Sequence, residues 1–276
     1  MTVLLALLSS ALWGVADFLG GTASRRLRAL VVVGLSQGAA LLVLVPLVLV
    51  AGERPASVWA GVGAGALGVV GLGAFYTALA RGTMGVVAPI AALGAVLPVV
   101  AGLVQGEQPS GLQLAGIAVA VVGVVLASGP ELSGGASPLP LVLAGIAAVG
   151  FGMVAVLLAE GSEGGGAGAV LVVLVVMRCT SVLLLAALWA AARVPLAAGR
   201  GDARALVAVG LFDVGANACF AVAAQSGLLS VVGVLASLYP VVTVLLARQL
   251  HAERLAPVQV VGVGGALLGV ALLASG

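Results

Sequence analysis

Charge is what this sequence has least of. Only 7% of its 276 residues are Asp, Glu, Lys or Arg, where a soluble domain carries about a quarter, so no water-facing surface can be assembled from it. Lysine is missing altogether, all 11 basic residues being arginine. The glycine-rich stretch "EGGGAG" (163–168) therefore has no lysine to complete a phosphate-binding loop. A single histidine, His251, and two cysteines, Cys179 and Cys219, give no metal-ligand spacing. Both cysteines fall inside apolar runs, where a thiol reads as a small packing group, and no disulfide is expected. No cofactor and no metal are implied. The net charge of +2, with no basic run beyond Arg25, Arg26 and Arg28, argues against a nucleic-acid partner. The amino terminus, "MTVLLALLSSALWG", lacks the basic segment of a secretory signal and reads as a retained first span.

What the chain has instead is hydrocarbon: 63% hydrophobic residues and a mean hydropathy of +1.34. The apolar runs recur along the whole length, each near the roughly 20 residues that cross a bilayer core as helix. Charged, proline and glycine-rich punctuation divides them into ten spans, near 2–20, 29–51, 58–80, 86–104, 112–128, 139–159, 169–192, 205–225, 229–247 and 256–274. Continuous runs exclude the alternation of a barrel strand, and backbone groups in lipid must bond within the segment. The fold class expected is all-α, a polytopic membrane protein. "GAGALG" (63–68) fits a dinucleotide fingerprint in letters only, because it lies within an apolar run with no strand before it; Gly61, Gly65, Gly68 and Gly71 suit close helix contact instead.

A repeat organises these spans. "GEQPSGLQLAGIAVAVVGVVLASG" (106–129) aligns with "AERLAPVQVVGVGGALLGVALLASG" (252–276), pairing Glu107 with Glu253, Gln113 with Gln259, Gly116 with Gly262 and Gly123 with Gly269 at one offset. "LWG" (12–14) pairs more weakly with "GFG" (150–152). Five spans thus occur twice, and two copies of an odd number of spans must lie in opposite orientations, with a site expected between them near the midplane. The expected division is two inverted five-helix repeats, 1–129 and 139–276, joined by a Gly, Ser and Pro-rich linker at 130–138. Arginines concentrate in the loops after odd-numbered spans (Arg25, Arg26, Arg28, Arg81, Arg193, Arg200, Arg204, Arg248, Arg254), against Arg54 alone on the other side. Positive-inside counting then puts both termini outside the cytoplasm.

"ALWGVADFLGG" (11–21), together with "SVVGVLASLYPVVTVLLARQLHAERLAPVQVVGVGGALLGVALLAS" (230–275), resembles the EamA-type branch of the drug/metabolite transporter superfamily, and the resemblance covers nearly the whole chain. It rests on Trp13 and Gly14, on Pro240, and on the Glu253, Gln259, Gly262 and Gly269 series echoed from Glu107 onward. It implies two five-helix repeats around a central cavity, movement of small metabolites across the plasma (inner) membrane, often as efflux, and cytoplasmic termini, opposite to the arginine count. One departure is that Gly94 faces Pro240 across the repeats, with a proline displaced to Pro98, so the two halves need not bend alike.

Few polar side chains sit deep in the spans: Asp17, Gln37, Arg178, Asp213 and Asn217. An ionised group at a helix centre costs about 2.5–3.5 kcal/mol on insertion scales, so such groups face a partner or a wet cavity. Asp213 and Asn217 share a helix face, extended by Gln225; Ser10, Trp13 and Asp17 form a second stripe. Arg178 cannot shed its proton and must find an acceptor. Asp213 is the preferred partner, leaving Asp17 as a proton or cation site, and the converse pairing stays open. The pair either locks spans 7 and 8 together or lines a substrate path. Gln37 either lines that path or bonds a neighbouring helix, and Tyr239 offers a ring and a hydroxyl. Glu107 and Glu253 precede helix starts, where a carboxylate caps free N–H groups.

The function expected is secondary transport of a small organic metabolite or drug-like solute by alternating access, as efflux, with proton coupling through Asp17, on a path of Trp13, Asp17, Gln37, Arg178, Asp213, Asn217 and Tyr239. The partners are then the solute, the lipid bilayer and protons, and the protein is a monomer or homodimer rather than an enzyme. The alternative is an intramembrane aspartyl protease using Asp17 and Asp213, since "GLFD" (210–213) distantly matches the G-x-G-D pattern of that class and two carboxyls sharing a proton supply acid and base.

Overall fold

A computed structural model of the chain describes residues 1–51, 57–127, 138–192, 199–250 and 256–275. Arg54, Arg193, His251, Glu253, Arg254 and all of the linker except Pro138 lie outside the described residues. Among those described, every regular element is helical, as a chain without water to satisfy its backbone requires. Six long helices are continuous: α1 (Thr2–Ser24), α2 (Ala29–Ala51), α3 (Val58–Arg81), α7 (Leu139–Ser162), α8 (Gly166–Ala192) and α9 (Arg200–Ser226).

The fourth and ninth expected spans are each broken. The fourth runs as α4 (Met84–Ala92), a 3-10 turn (Leu93–Ala95) and α5 (Val96–Val104); the ninth runs as α10 (Leu229–Ala236) and α11 (Tyr239–Leu250). Pro240 stands in the first turn of α11, where its missing N–H costs no helical bond. The first half lacks that proline and breaks at Gly94 instead. Two further helices, α6 (Gly111–Ala127) and α12 (Pro257–Ser275), complete the described chain. Eight segments are long and apolar enough to cross a membrane. Eight of the ten expected spans are thus supported among the described residues, and α6, of 17 residues, and α12, of 19, occupy the places of the other two.

The packing has a recurring pattern. α1 lies along α9 as α3 lies along α7; α2 meets α9 as α8 meets α3; α1 meets α10 and α11 as α7 meets α4 and α5. α2 packs on α8, and α6 on α12. Two buried apolar clusters fill the bundle, one around Phe220 and Leu235, the other around Phe75 and Tyr239, and Trp13 packs against both.

The matched glutamines and glycines of the repeat have structural work at α6 and α12. Gln113 Oε1 accepts from Ser110 N at 2.9 Å while Ser110 Oγ accepts from Gln113 N at 3.2 Å, a reciprocal cap on α6. Gln259 Oε1 accepts from Ala256 N at 2.8 Å at the start of α12. Along the pair, Gly269 leaves no room: a Cβ there would lie 2.7 Å from both Ala120 Cβ and Ala120 N. Small residues let membrane helices approach this closely. Gly269→Leu is expected to force α6 and α12 apart at a cost of about 1–3 kcal/mol, read as a lower melting temperature of the detergent-solubilised protein.

Because α6 is capped by its own residues, Glu107 is not needed there, and its expected role is corrected. α5 ends in a Schellman turn, with Gly106 at φ +91°, Gly106 N donating to Leu103 O at 3.1 Å and Glu107 N to Gly102 O at 3.0 Å. That turn directs Glu107 onto α10, where Oε1 accepts from Leu229 N and Oε2 from Ser230 N, the latter at 3.0 Å. Glu107 caps a helix of the other half of the chain.

Candidate functional site

Arg178 is fully buried in α8, and a guanidinium there keeps its charge. Asp213 of α9 supplies the counter-charge: Arg178 Nη2 lies 2.8 Å from Asp213 Oδ2. Arg178 Nη1 donates to Gln37 Oε1 of α2, so three helices converge on one cation. The remaining carboxylate oxygen is also occupied. Asp213 Oδ1 accepts from Trp13 Nε1 of α1 at 3.2 Å and from Asn217 Nδ2 at 3.2 Å. Asn217, one turn on, also donates to Asp213 O at 2.6 Å, which fixes its amide against the helix that carries it.

Asp17 differs in kind. It is buried, at 5% exposure, yet its carboxylate has no hydrogen bond or ion pair among the described residues. It lies within electrostatic reach of Asp213, Tyr76 and Tyr239. A buried polar group without a protein partner is normally satisfied by water or by a ligand.

These residues border one cavity, with about 720 Å³ of space free of protein atoms when the solvent at its open side is included. Trp13, Asp17, Arg178, Asp213, Asn217 and Tyr239 all line it. Gln37 does not: it stands behind Arg178, bonded to the neighbouring helix. Tyr239 turns its hydroxyl toward Ala88 O at 3.5 Å, leaving its ring to the cavity. Gln225, read as extending the Asp213 stripe, instead donates to Ser162 O and Gly166 O at the turn between α7 and α8, the latter at 3.1 Å. Tyr76 packs its ring against Gly20 and is not part of the cavity wall.

The rest of the wall is mostly apolar and includes residues that the sequence did not single out for it. Phe220 faces Trp13 with ring centroids 5.9 Å apart. Phe151 enters from α7 and meets Phe75 edge-on at 5.2 Å. Its signal was present, since the "GFG" that holds it pairs with the "LWG" that holds Trp13. The glycines following both aromatics have one use: a Cβ on Gly14 would lie 2.7 Å from Tyr239 O, and a Cβ on Gly152 would collide with Gly94 O. Each aromatic is thus carried on a helix pressed directly against the break in a discontinuous span. Gly94 and Ala95 from one break, and Ser237 from the other, line the cavity too.

The chamber lies at two helix breaks, is walled by α1, α3, α4 and α5 together with α7 to α11, and holds one braced ion pair and one carboxylate that has no bond among the described residues. No curated protein matches the chain by sequence. One solved crystal structure superposes with a TM-score of 0.74 over 98% of this chain and 95% of the other, at 20% identity; that likeness is one of fold. The model of the EamA-like transporter family matches residues 1–129 and 138–275. The chain belongs to the EamA-like transporter family, within the drug/metabolite transporter superfamily.

Proposed function

We propose that this multi-pass membrane protein carries a small organic solute across the plasma membrane, as efflux, by alternating exposure of the cavity between Trp13 and Tyr239. The two matched stretches act as five-helix halves of opposite orientation, and they rock about the chamber they share. Support comes from the contact pattern, most of which maps onto itself when α1 to α6 are exchanged with α7 to α12. Discontinuous spans at corresponding places in the two halves are the usual pointer to a transporter's binding site. The observation that carries the reading is the cavity wall itself, drawn from both halves and holding buried charge.

Within this reading Arg178, braced by Asp213 and Gln37, is a fixed cation that orients the solute. Asp17, with no bond among the described residues, takes the proton or the solute's own cationic group. The aspartyl protease alternative is disfavoured by occupancy. A catalytic dyad shares one proton between two carboxyls, and both oxygens of Asp213 already accept from Trp13 and Asn217 or face Arg178.

Purified protein reconstituted in liposomes and challenged with a panel of small organic solutes is expected to move at least one of them without ATP, driven by the solute or proton gradient. Failure of every solute under both gradients, or a requirement for ATP, overturns the proposal.

A further inference from the structure

The Glu107 cap joins the two halves of the chain at one end of the bundle. The same end holds Thr2, against which Gly227 packs, and the turn between α7 and α8 that receives Gln225. Here the α5 to α10 contact is close throughout. Glu107 closes on Leu229 and Ser230, and a Cβ on Gly233, one turn into α10, would lie 2.7 Å from Pro98. Pro98 and Gly233 both line the cavity, so this contact forms part of the cavity's wall on the side where α1 begins. The seat of the clamp is specific. Gly106 adopts a left-handed φ of +91°, and Gly102 leaves the space that the Glu107 carboxylate fills, where any Cβ would collide with it.

The second repeat keeps the glutamate and loses the seat. At the offset that pairs Glu107 with Glu253, Gly102 becomes Arg248 and Gly106 becomes Ala252. Alanine is disfavoured at a left-handed position, and no side chain larger than glycine's fits at the place of Gly102 beside the Glu107 carboxylate, so the sequence pattern of the seat is present once. At the opposite end of the bundle the halves are joined by Arg26 and Asp202, 3.5 Å apart, with the arginine side chain 68% exposed. Exposed pairs of that kind contribute little, whereas a carboxylate on backbone N–H groups is a charge-assisted bond.

We propose that Glu107 is a releasable clamp between the halves, which keeps the cavity closed toward the α1-start end in the resting protein and makes its release the restrictive step of reorientation. The inference rests on the reading of the cavity as the transport path, and it assigns Glu107 a positioning role outside that path.

The test uses the full chain in proteoliposomes, with Cys179 and Cys219 replaced by alanine, Ser237→Cys as a cavity probe, and a cleavable tag ahead of Met1 to mark the α1-start side. Labelling by a membrane-impermeant maleimide is measured from each side. The parent is expected to label slowly from the α1-start side, and Glu107→Gln to accelerate that rate by about tenfold, the order expected on losing charge-assisted bonds. Gly106→Ala, which keeps the carboxylate and strains its seat, is expected to move the rate in the same direction by less. A rate within twofold of the parent in both variants overturns the clamp and leaves Glu107 a local cap. Loss of membrane insertion in both also overturns it, making Glu107 a folding residue. A parent that labels from neither side overturns the cavity reading instead.

Discussion

Arg178→Gln alone is expected to deplete the protein from the membrane fraction, because the substitution strands the Asp213 carboxylate in the bundle. Oδ2 of Asp213 loses the group 2.8 Å away, and Gln37 loses its donor. Breaking a buried pair from one side costs about 3–5 kcal/mol, a large part of a total stability of about 5–15 kcal/mol. Asp213→Asn is expected to fail in the same way, with a fully buried guanidinium left to Gln37. The double variant Arg178→Gln, Asp213→Asn removes both charges together and is expected to restore insertion and a monodisperse elution profile. Its transport is expected to stay below about one tenth of the parental rate, since the fixed cation that orients the solute is gone. A double variant that inserts and transports normally would reduce the pair to a brace between α8 and α9 and remove it from the path.

The second large effect is the opposite in kind. Asp17→Asn is expected to insert and melt like the parent or somewhat above it, because no described residue bonds to this carboxylate and a buried ionisable group is itself costly. Transport is nevertheless expected to fall by at least about tenfold, and what remains is expected to ignore a protonophore that collapses solute accumulation by the parent. Melting curves and gradient-driven flux on the same preparation are expected to separate the two residues, with Asp213→Asn losing both stability and flux and Asp17→Asn losing flux alone. Parental flux from Asp17→Asn would remove Asp17 from the mechanism.

That Arg178 needs an acid was legible from insertion energetics, since Asp213 and Asp17 were the acids at comparable depth; the choice of Asp213 was a preference, and the converse pairing stayed open until the structure placed the two 2.8 Å apart. Pro240 was legible only as a place where the halves need not bend alike; that it stands in the first turn of a new helix came from the structure. The position of Gln37 behind the arginine was not. A buried amide serves equally as a wall or as a strut, and only the rotation of α2 about its axis decides. Phe151 went unread because a phenylalanine in a hydrophobic helix carries no mark of its own; its partner glycine did, by matching Gly14. Glu107 was correctly seen as a cap, but the helix it caps begins 122 residues later, and no local rule reaches that far. The ten-span count is borne out at eight helices only, since α6, of 17 residues, lies at the short edge of what crosses a bilayer and α12 is not among the eight either.

The α6–α12 pair contributes nothing to the cavity wall, yet one helix comes from each matched stretch and their backbones meet at Gly269 and Ala120. Bodies that pivot against one another need a line that stays still, and a close seam between them that takes no part in the chamber wall is where an axle belongs. A covalent staple across that seam should leave turnover intact, while the same staple between α5 and α10 should arrest it.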